Sequence, residues 1–539
     1  SAARNREHPQ NRVFATGSEV TTAAFAHLSS SAGLTASIST FDLRDVVRGL
    51  IDELPAGIPM ETIDELSRQY LARDEVVPVG RKERTGPVFS TTEMIRLERF
   101  VVDLASGGRS AGWAAVSQAA VARAIQSRPS MAEEQAAVVR EMCTSGRAVD
   151  VLVAAAGTGK TFSLDAAREA WRQSGFRVIG CALAASAAHE LQAGSGIPSS
   201  TIAKLNLDIQ QGRQRLDART VLVIDEAGMV GTRALAPLLR DAALHRSKVV
   251  LIGDPRQLPE IAAGGVLASL AKRHPVLTLT ENRRQRDEGE RGALCHLREG
   301  DVDRAIEGFR RLGGVVTAPN AETVRDAMVA DWADHRRAGE SALMMARRNA
   351  DVDDLNRRAR RYVAAAGELS GPVMVIAGRP FQVGDQVICT RNDHPNAIRN
   401  GTVGTIVGLS CSDRTITLAT DDGERQLTCD YVDGGHVRHG YAITVHKAQG
   451  RTCDRGLLLA SDDLHREMGY VGLSRGRESN RMYLVADERA DELERHGRPG
   501  DRPDPFDLVA DSLRHSDAKE LAIDQPRLDE LDDGADIGW

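Results

Sequence analysis

The sequence predicts an α/β protein with two parallel-sheet domains, a small antiparallel β-barrel inserted in the second, and a mainly helical N-terminal domain. Three observations support this prediction. From Asp150 onward, short apolar runs alternate with helical stretches, as in parallel strands that are covered by helices on both faces. Residues 384–440 instead alternate apolar and polar positions at period two, between Gly and Asp turns. Residues 41–126 carry apolar positions at helical spacing.

The domain boundaries follow these changes of pattern. In chain order, the sequence predicts a loosely ordered segment (1–40), a helical accessory domain (41–126), the first parallel-sheet domain (127–285), the first part of the second (286–383), the inserted β-barrel (384–440), the second part of the second domain (441–486) and an acidic flexible tail (487–539). Within the helical domain, Ser90 and Glu93 have the spacing of a capping box and predict a helix start.

Charge is unevenly distributed along the chain. The net charge is −7, but 17 acidic and 7 basic residues follow residue 486, so the first 486 residues carry +3. A nearly neutral protein can bind nucleic acid when its basic residues line one groove. The composition therefore does not exclude a nucleic-acid partner.

Cysteine usage and hydropathy indicate a cytoplasmic protein. The seven cysteines form no Cys-x-x-Cys pair, which argues against a zinc or redox framework and suits reduced thiols. No apolar run is long enough for a membrane span and no signal-peptide pattern opens the sequence, so we expect no membrane insertion. The first residue is Ser1 rather than Met, which suggests a piece of a longer polypeptide.

The strongest local signal is the segment Ala154–Thr161, Ala-Ala-Ala-Gly-Thr-Gly-Lys-Thr. It lies between a predicted strand and a predicted helix, which is the setting of a P-loop that binds ATP. The backbone N–H groups around Gly157, Thr158 and Gly159 would wrap the phosphates, and Lys160 would reach the β- and γ-phosphates. Thr161 would ligate Mg²⁺. Ala154 stands where the general pattern has its first glycine, and a chance Gly-Lys-Thr in a glycine-rich turn is the alternative.

Two further predicted strands end in residues suited to phosphoryl transfer. The run Val221–Ile224 ends at Asp225 and Glu226, which predict a Mg²⁺ ligand and a general base for the attacking water. The run Val249–Ile252 is followed by Gly-Asp-Pro and then Gln257, which could contact the γ-phosphate. The carboxyl ends of parallel strands share one sheet edge, so we expect these groups to meet there.

The order of these motifs resembles that of superfamily 1 helicases of the RecD-like branch. More closely, the chain resembles the helicase portion of conjugative relaxase-helicases of the TraI/TrwC type, over roughly residues 130 to 486. Besides the three motifs above, four segments carry the resemblance: Glu133-Glu134-Gln135, Glu281-Asn282-Arg283-Arg284-Gln285, Thr444-Val445-His446-Lys447-Ala448-Gln449-Gly450, and Tyr470-Val471-Gly472-Leu473-Ser474-Arg475-Gly476-Arg477-Glu478.

The resemblance implies two RecA-like motor domains with ATP between them. Gln135 would read the adenine, and Arg284 and Arg475 would be the arginine fingers on the γ-phosphate. Such fingers contribute about 10³–10⁵ in turnover in related systems. Arg283 and Arg477 remain the alternatives for this role.

The resemblance also implies a track for single-stranded DNA. The implied contacts are Ser200, Thr201, Thr444, His446, Lys447 and Gln449. The predicted barrel resembles the Src-homology-3-like insertion of RecD-like helicases, where Arg391, Asn392, Arg399 and Asn400 are the candidate contacts. The alternative for each of these four residues, equally good, is a position on a solvent-exposed face of the barrel without contact to DNA.

These expectations describe an ATP- and Mg²⁺-dependent DNA helicase that moves 5′ to 3′ on single-stranded DNA and unwinds duplex at junctions. Its parent would serve conjugative transfer, with other conjugation-machinery proteins as possible partners. A RecD-like repair helicase, a translocase without robust unwinding, and a nucleic-acid-binding module with an inactive ATPase are the alternatives. No His-x-His pair accompanies the few tyrosines, so we expect no strand nicking by this chain. No sequence feature indicates an oligomeric state.

Overall fold

A computed structural model of the chain describes residues 18–82, 86–393, 395–485 and 505–525. The N-terminal region contains helices α1 (Ser18–Ser29), α2 (Leu43–Glu53), α3 (Met60–Leu71) and α4 (Thr92–Gly107), with a hairpin of β1 (Val76–Lys82) and β2 (Gly86–Thr91) before α4. Helix α2 begins at a capping box, in which the Asp42 carboxylate accepts from Asp45 N at 3.2 Å and the Asp45 carboxylate accepts from Asp42 N at 3.0 Å.

Two predictions for this region are corrected. Residues 18–40 belong to the fold, since α1 buries Phe25 and Leu28 in a core shared with α2 and α3; residues 1–17 of the predicted loose segment lie outside the described residues. Helix α4 is capped by Thr91, whose hydroxyl accepts from Met94 N at 3.2 Å. Ser90 instead donates to the Ser39 carbonyl at 2.7 Å.

The predicted first motor domain, called the first motor domain below, is built on a six-stranded parallel sheet in the order β5-β4-β6-β7-β3-β8. Its strands are β3 (Val149–Ala154), β4 (Arg177–Ala182), β5 (Ser199–Thr201), β6 (Thr220–Asp225), β7 (Lys248–Gly253) and β8 (Leu277–Leu279). Its helices are α5 (Gln118–Gln126), α6 (Glu133–Thr144), α7 (Lys160–Gln173), α8 (Ala185–Ser195), α9 (Ile202–Gln210), α10 (Thr232–Leu244) and α11 (Val266–Arg273). Every residue of β6 and β7 is buried, as expected for a sheet covered on both faces.

The second motor domain has a five-stranded parallel sheet in the order β18-β10-β19-β20-β9. Its strands are β9 (Val315–Ala318), β10 (Ala342–Ala346), β18 (Ala442–Thr444), β19 (Cys453–Leu459) and β20 (Gly476–Val485). Its helices are α12 (Glu288–Glu299), α13 (Val302–Arg311), α14 (Ala321–Arg337), α15 (Asn349–Ala365), α17 (Val445–Ala448) and α18 (Arg466–Leu473). The predicted α/β class with two parallel sheets is confirmed.

Between α15 and β18 the chain forms an antiparallel insert. A ribbon of β11 (Ser370–Ile376) and β12 (Arg379–Val383) shares a hydrophobic core with a five-stranded sheet in the order β16-β15-β14-β13-β17. That sheet comprises β13 (Gln386–Cys389), β14 (Val403–Ser410), β15 (Thr415–Thr420), β16 (Gly423–Leu427) and β17 (Val437–His439), with a short helix α16 (Cys429–Asp433). The insert thus begins at the ribbon, earlier than residue 384. Its closure into a barrel stays a prediction.

The C-terminal strap, defined as residues 505–525, is folded, which corrects the prediction of a flexible tail for this part of the chain. Helix α19 (Pro505–Arg514) packs against α13 and α18, burying Val509 and Leu513. The strap then reaches the first motor domain, where Leu521 is fully buried and Lys519 Nζ donates to the carbonyl oxygens of Ile261 and Ala262 at 2.8 and 3.0 Å. Residues 487–504 and 526–539 of the predicted tail lie outside the described residues.

No helix in the described part of the chain has the length and apolar character required to cross a membrane.

Candidate active site

The P-loop follows β3 and leads directly into α7. Gly157 and Gly159 have φ angles of 78° and 76°, a left-handed conformation that glycine adopts without strain. A side chain on Gly157 would also lie 2.5 Å from Cβ of Arg284. The loop therefore needs glycine at this position. Its backbone can approach a phosphate closely, and α7 presents its N-terminus to the same point.

Lys160 is bonded to both carboxylates that follow β6. Its Nζ lies 2.8 Å from Asp225 Oδ1 and 2.5 Å from Glu226 Oε1. Burial lowers the pKa of Lys160, but the two carboxylates outweigh burial, so its pKa lies above the ordinary lysine value. The three groups predicted from separate motifs thus form one cluster at the carboxyl ends of β3 and β6.

Glu226 has an unusual backbone conformation, with φ of 51° and ψ of 40°. Such a left-handed conformation costs about 1–3 kcal/mol in a non-glycine residue and is common at functional sites. The bond from Glu226 N to Asp225 Oδ1, at 2.9 Å, helps to hold this turn. Burial raises the pKa of Asp225. Burial also acts to raise the pKa of Glu226, but the Lys160 ammonium outweighs it and holds the pKa of Glu226 below its usual range.

A Mg²⁺ ion would find suitable oxygen ligands here. Asp225 supplies a buried carboxylate and Thr161 a hydroxyl at the start of α7, and Mg²⁺ in phosphate-binding sites takes one or two such ligands together with phosphate and water. Among the described residues, no group of three or more His, Cys, Asp and Glu side chains could hold a metal by itself.

The loop after β7 also reaches the cluster. Gln257 is 8% exposed, and its Oε1 accepts a long hydrogen bond from Gln449 Nε2 at 3.5 Å. The preceding Asp254 is paired with Arg298 of α12 at 3.0 Å, with the carboxylate fully buried. This ion pair joins the first motor domain to the second beside the site.

Gln449 lies beside Glu226 of this cluster, and its predicted contact with DNA stays a prediction. Its Nε2 donates to Glu226 Oε2 at 3.2 Å, across the boundary between the two motor domains. Sequence reasoning placed it with His446 and Lys447 because all three belong to one short motif. The chain turns out of α17 at Gln449, with ψ of 138°, and this turn directs its side chain away from theirs.

Of the four candidate arginine fingers, two face inward. Arg284 donates to the Ser474 carbonyl at 2.8 Å, and Arg475 is 2% exposed and donates to the Val471 carbonyl at 2.8 Å. Burial lowers the pKa of both, in Arg475 to about 9, with the neighbouring Arg284 adding to the effect. Arg283 pairs with Glu281 at the surface and Arg477 is exposed. The geometry favours Arg284 and Arg475.

Gln135 bonds to the P-loop backbone. Its Nε2 donates to the Thr158 carbonyl at 2.9 Å, and its Oε1 accepts from Ala132 N at 3.2 Å. Both ends of the amide are therefore engaged by backbone groups, and the predicted contact to adenine stays a prediction.

Two residues that position the site were not predicted from the sequence. The hydroxyl of Tyr470 on α18 accepts from Ala156 N of the P-loop at 3.2 Å, and burial raises the pKa of Tyr470 to about 12. The amide of Gln285 donates to the carbonyl oxygens of Ser474 and Gly476 at 3.1 and 2.8 Å. Both residues stand inside quoted motifs, but the partner of each lies far away in sequence.

The remaining candidate DNA contacts form two groups. In the motor domains, Ser200 and Thr201 lie on edge strand β5 and the Thr201 hydroxyl caps α9, while Thr444 caps α17 and leaves His446 and Lys447 exposed. In the insert, Arg391 contacts His436 at 3.1 Å and Asn392 accepts from Asn400 N at 2.8 Å. All of these positions are at least partly exposed, as a backbone-gripping track requires.

The insert is tied to both motor domains. Asp422 accepts from Arg399 at 3.1 Å within the insert and lies 3.3 Å from His189 of α8 in the first motor domain. Arg451 of the second motor domain donates to the Gly401 carbonyl at 2.5 Å. Part of the Arg399 charge is thus engaged within the protein.

Comparison with known proteins matches this architecture. Residues 130–320 match an AAA domain family. The chain is 34% identical over 461 residues to a conjugal transfer protein TraA of Rhizobium radiobacter, covering 84% of the chain and 42% of that protein. It is 29% identical over 362 residues to an ATP-dependent RecD2 DNA helicase of Deinococcus radiodurans, covering 66% of the chain and 49% of that protein. The chain thus spans less than half the length of these two relatives.

Solved structures of Pif1 helicases resemble the chain more distantly. One from Bacteroides, in complex with ADP-AlF3 and single-stranded DNA, is 18% identical with a TM-score of 0.43 and covers 68% of the chain and 96% of its own. One from Candida albicans is 18% identical with a TM-score of 0.45, covering 66% and 94%.

Proposed function

Because the chain belongs to the RecD-like branch of the superfamily 1 helicases, we propose that it is the motor part of a conjugative transfer protein. It hydrolyses ATP, moves 5′ to 3′ along single-stranded DNA and unwinds duplex at junctions. The observation that carries the ATPase assignment is the cluster of Lys160, Asp225 and Glu226, which faces Arg475 and Gln449 of the second motor domain. The TraA relative supports the conjugative role. The proposal includes other transfer proteins as partners and a cytoplasmic location.

The residues of the cluster divide the work of hydrolysis. The P-loop N–H groups and Lys160 bind the β- and γ-phosphates, and Lys160 exchanges a carboxylate partner for phosphate oxygens as the nucleotide enters. Asp225 and Thr161 would hold Mg²⁺, which would neutralise phosphate charge. Gln257 contacts the γ-phosphate and responds to its loss.

Glu226 acts as the general base in this proposal. Since Lys160 holds the pKa of Glu226 below its usual range, this carboxylate is ionised at neutral pH and can take a proton from the attacking water. The water oxygen bonds to the γ-phosphorus as the bridge to the β-phosphate breaks. Arg284 and Arg475 stabilise the charge that develops on the phosphoryl oxygens.

Hydrolysis becomes movement because residues of both motor domains meet at the nucleotide. Loss of the γ-phosphate removes the shared partner of Lys160 and the two arginines, so the contacts between the domains change during each cycle. The exposed hydroxyl, imidazole and ammonium groups of Thr444, His446 and Lys447 suit phosphate contacts on the strand, which carry no sequence information.

The test is ATP-dependent unwinding of two duplexes, one with a 5′ and one with a 3′ single-stranded tail. The expected result is unwinding of the 5′-tailed substrate alone. Unwinding from the 3′ tail would contradict the proposed direction. DNA-stimulated ATP turnover without unwinding of either substrate would make the chain a translocase, and the absence of turnover would overturn the motor assignment.

A further inference from the structure

We propose that Gln449 is a positioning residue of the hydrolysis site: supplied by the second motor domain, it orients both the Glu226 carboxylate and the attacking water. This inference rests on the proposed ATPase function and deepens it. It concerns a residue that the motif alone would assign to the DNA strand.

The first support is the way in which Glu226 is held. One of its carboxylate oxygens accepts from Lys160 Nζ at 2.5 Å and the other from Gln449 Nε2 at 3.2 Å. Two donors on opposite oxygens fix the plane of a carboxylate, whereas one donor leaves it free to rotate. Lys160 must also serve the phosphates during turnover, so Gln449 is the donor that remains dedicated to Glu226.

The second support is the other end of the same amide. Gln449 Oε1 is buried and has no hydrogen-bond partner among the described residues. Buried polar atoms are nearly always paired in native proteins, and each exception calls for an explanation. An amide oxygen beside the general base and beside Gln257 is well placed to accept the second hydrogen of the attacking water, while Glu226 takes the first.

The third support is the position of Gln449 in the chain. It follows α17 directly, and its backbone N–H donates to the His446 carbonyl at 3.4 Å. His446 and Lys447 on that helix are exposed, so a strand bound there lies within three residues of the amide that touches Glu226. Any shift of α17 on strand binding therefore moves the amide relative to the general base.

Glu226 is faced by Lys160 from α7, Asp225 from β6, Glu190 from α8 and Arg475 after α18, besides Gln449. A residue that orients the reacting groups changes kcat, whereas a strand contact changes the affinity for single-stranded DNA. Measuring kcat, KM for ATP and DNA affinity side by side therefore distinguishes the two roles.

The experiment measures single-stranded-DNA-stimulated ATP turnover and single-stranded-DNA binding of Gln449→Ala and Gln449→Glu. In Gln449→Ala, kcat should fall about 100-fold, as for a misplaced reacting group, with little change in KM for ATP and in the affinity for DNA. Gln449→Glu should not restore kcat, since an ionised carboxylate has no hydrogen to donate to Glu226.

The matched control is Gln69→Ala. Gln69 makes the same amide-to-carboxylate bond, to Glu65 at 3.2 Å, on the exposed face of α3, and its removal should leave kcat and DNA binding unchanged. If Gln449→Ala keeps its kcat but binds single-stranded DNA more weakly, Gln449 is a strand contact and the inference is wrong. If the wild-type chain hydrolyses no ATP, the proposed function itself fails, which is a separate outcome.

Gln449→Asn covers the case in which the alanine variant is unstable. It keeps an amide of similar polarity but shortens the side chain, so it should fold and still lose turnover. Wild-type turnover in Gln449→Asn would show that the reach of the amide is not used and would overturn the inference.

Discussion

Lys160 has two carboxylate partners in the structure, and its removal should stop turnover without releasing DNA. In Lys160→Ala, ATP turnover is expected to fall about 100-fold or more, as when a preorganised donor to a transition-state oxyanion is lost. Binding of single-stranded DNA, measured by fluorescence anisotropy, should remain, because the candidate track lies on other elements. Near-normal turnover in this variant would contradict the P-loop assignment.

The adjacent pair Arg283 and Arg284 offers an internal comparison. Arg284 reaches the Ser474 carbonyl beside the site, whereas Arg283 pairs with Glu281 in solvent. In Arg284→Ala, kcat is expected to fall by about 10³ or more, the range for arginine fingers, while Arg283→Ala changes kcat less than about twofold. Equal losses of kcat in the two variants would contradict the assignment of Arg284, rather than Arg283, as the arginine finger.

Much of the site could be predicted at this scale because its chemistry is encoded locally. Lys160, Asp225 and Glu226 each end a contiguous strand-and-turn pattern, and strand ends of a parallel sheet must converge. Gln449 could not be placed in this way, since its partner Glu226 is 223 positions away. The contact of Tyr470 with the P-loop depends equally on how the two motor domains dock, and no local pattern encodes docking.

At the scale of elements, helix α17 carries the most direct test of the DNA track. Lys447 is exposed there. Desolvation by neighbouring groups lowers its pKa, and the nearby Arg438 and Arg451 lower it further, so positive charge is concentrated around this helix. Lys447→Ala should weaken binding of single-stranded DNA and reduce the slope of log K against log salt concentration by about 0.7, the value for one phosphate contact.

The control for that titration is Lys272→Ala. Lys272 is 65% exposed and pairs with Glu520 on the strap, far from α17 in sequence. Its removal should leave the salt slope unchanged. A Lys447→Ala slope equal to that of the wild-type chain would remove α17 from the track.

The elements differ in how well the sequence predicted them. The predicted strands β6 and β7 are continuous, fully buried apolar runs, and both are confirmed. Strand β1 contains Pro78 and Gly80, and its register with β2 shifts between those two residues, which destroys the period-two pattern expected of a hairpin. The prediction for the strap was wrong for a different reason. Its acidic composition is typical of a solvated tail, and its few apolar residues are buried only by packing against domains that are distant in sequence.

At the scale of the whole molecule, Leu521 tests whether the strap is part of the fold. It is fully buried in the core of the first motor domain. Leu521→Ala should lower the free energy of unfolding by about 2–5 kcal/mol, as for other leucines removed from cores, measured by urea denaturation. A loss near zero would restore the prediction of a flexible tail.

Leu244→Ala is the matched control, since this leucine is 74% exposed at the end of α10. Its effect should stay within about 0.5 kcal/mol, the usual range for surface substitutions.

The path of the strap also restricts how the motor can move. The second motor domain leaves the first through the segment between β8 and α12, and the strap returns from it to α11 and the Ile261–Ala262 loop. The strap is therefore a second covalent crossing between the two domains, in addition to the segment between β8 and α12. Any rearrangement that changes the separation of the domains must deform both crossings.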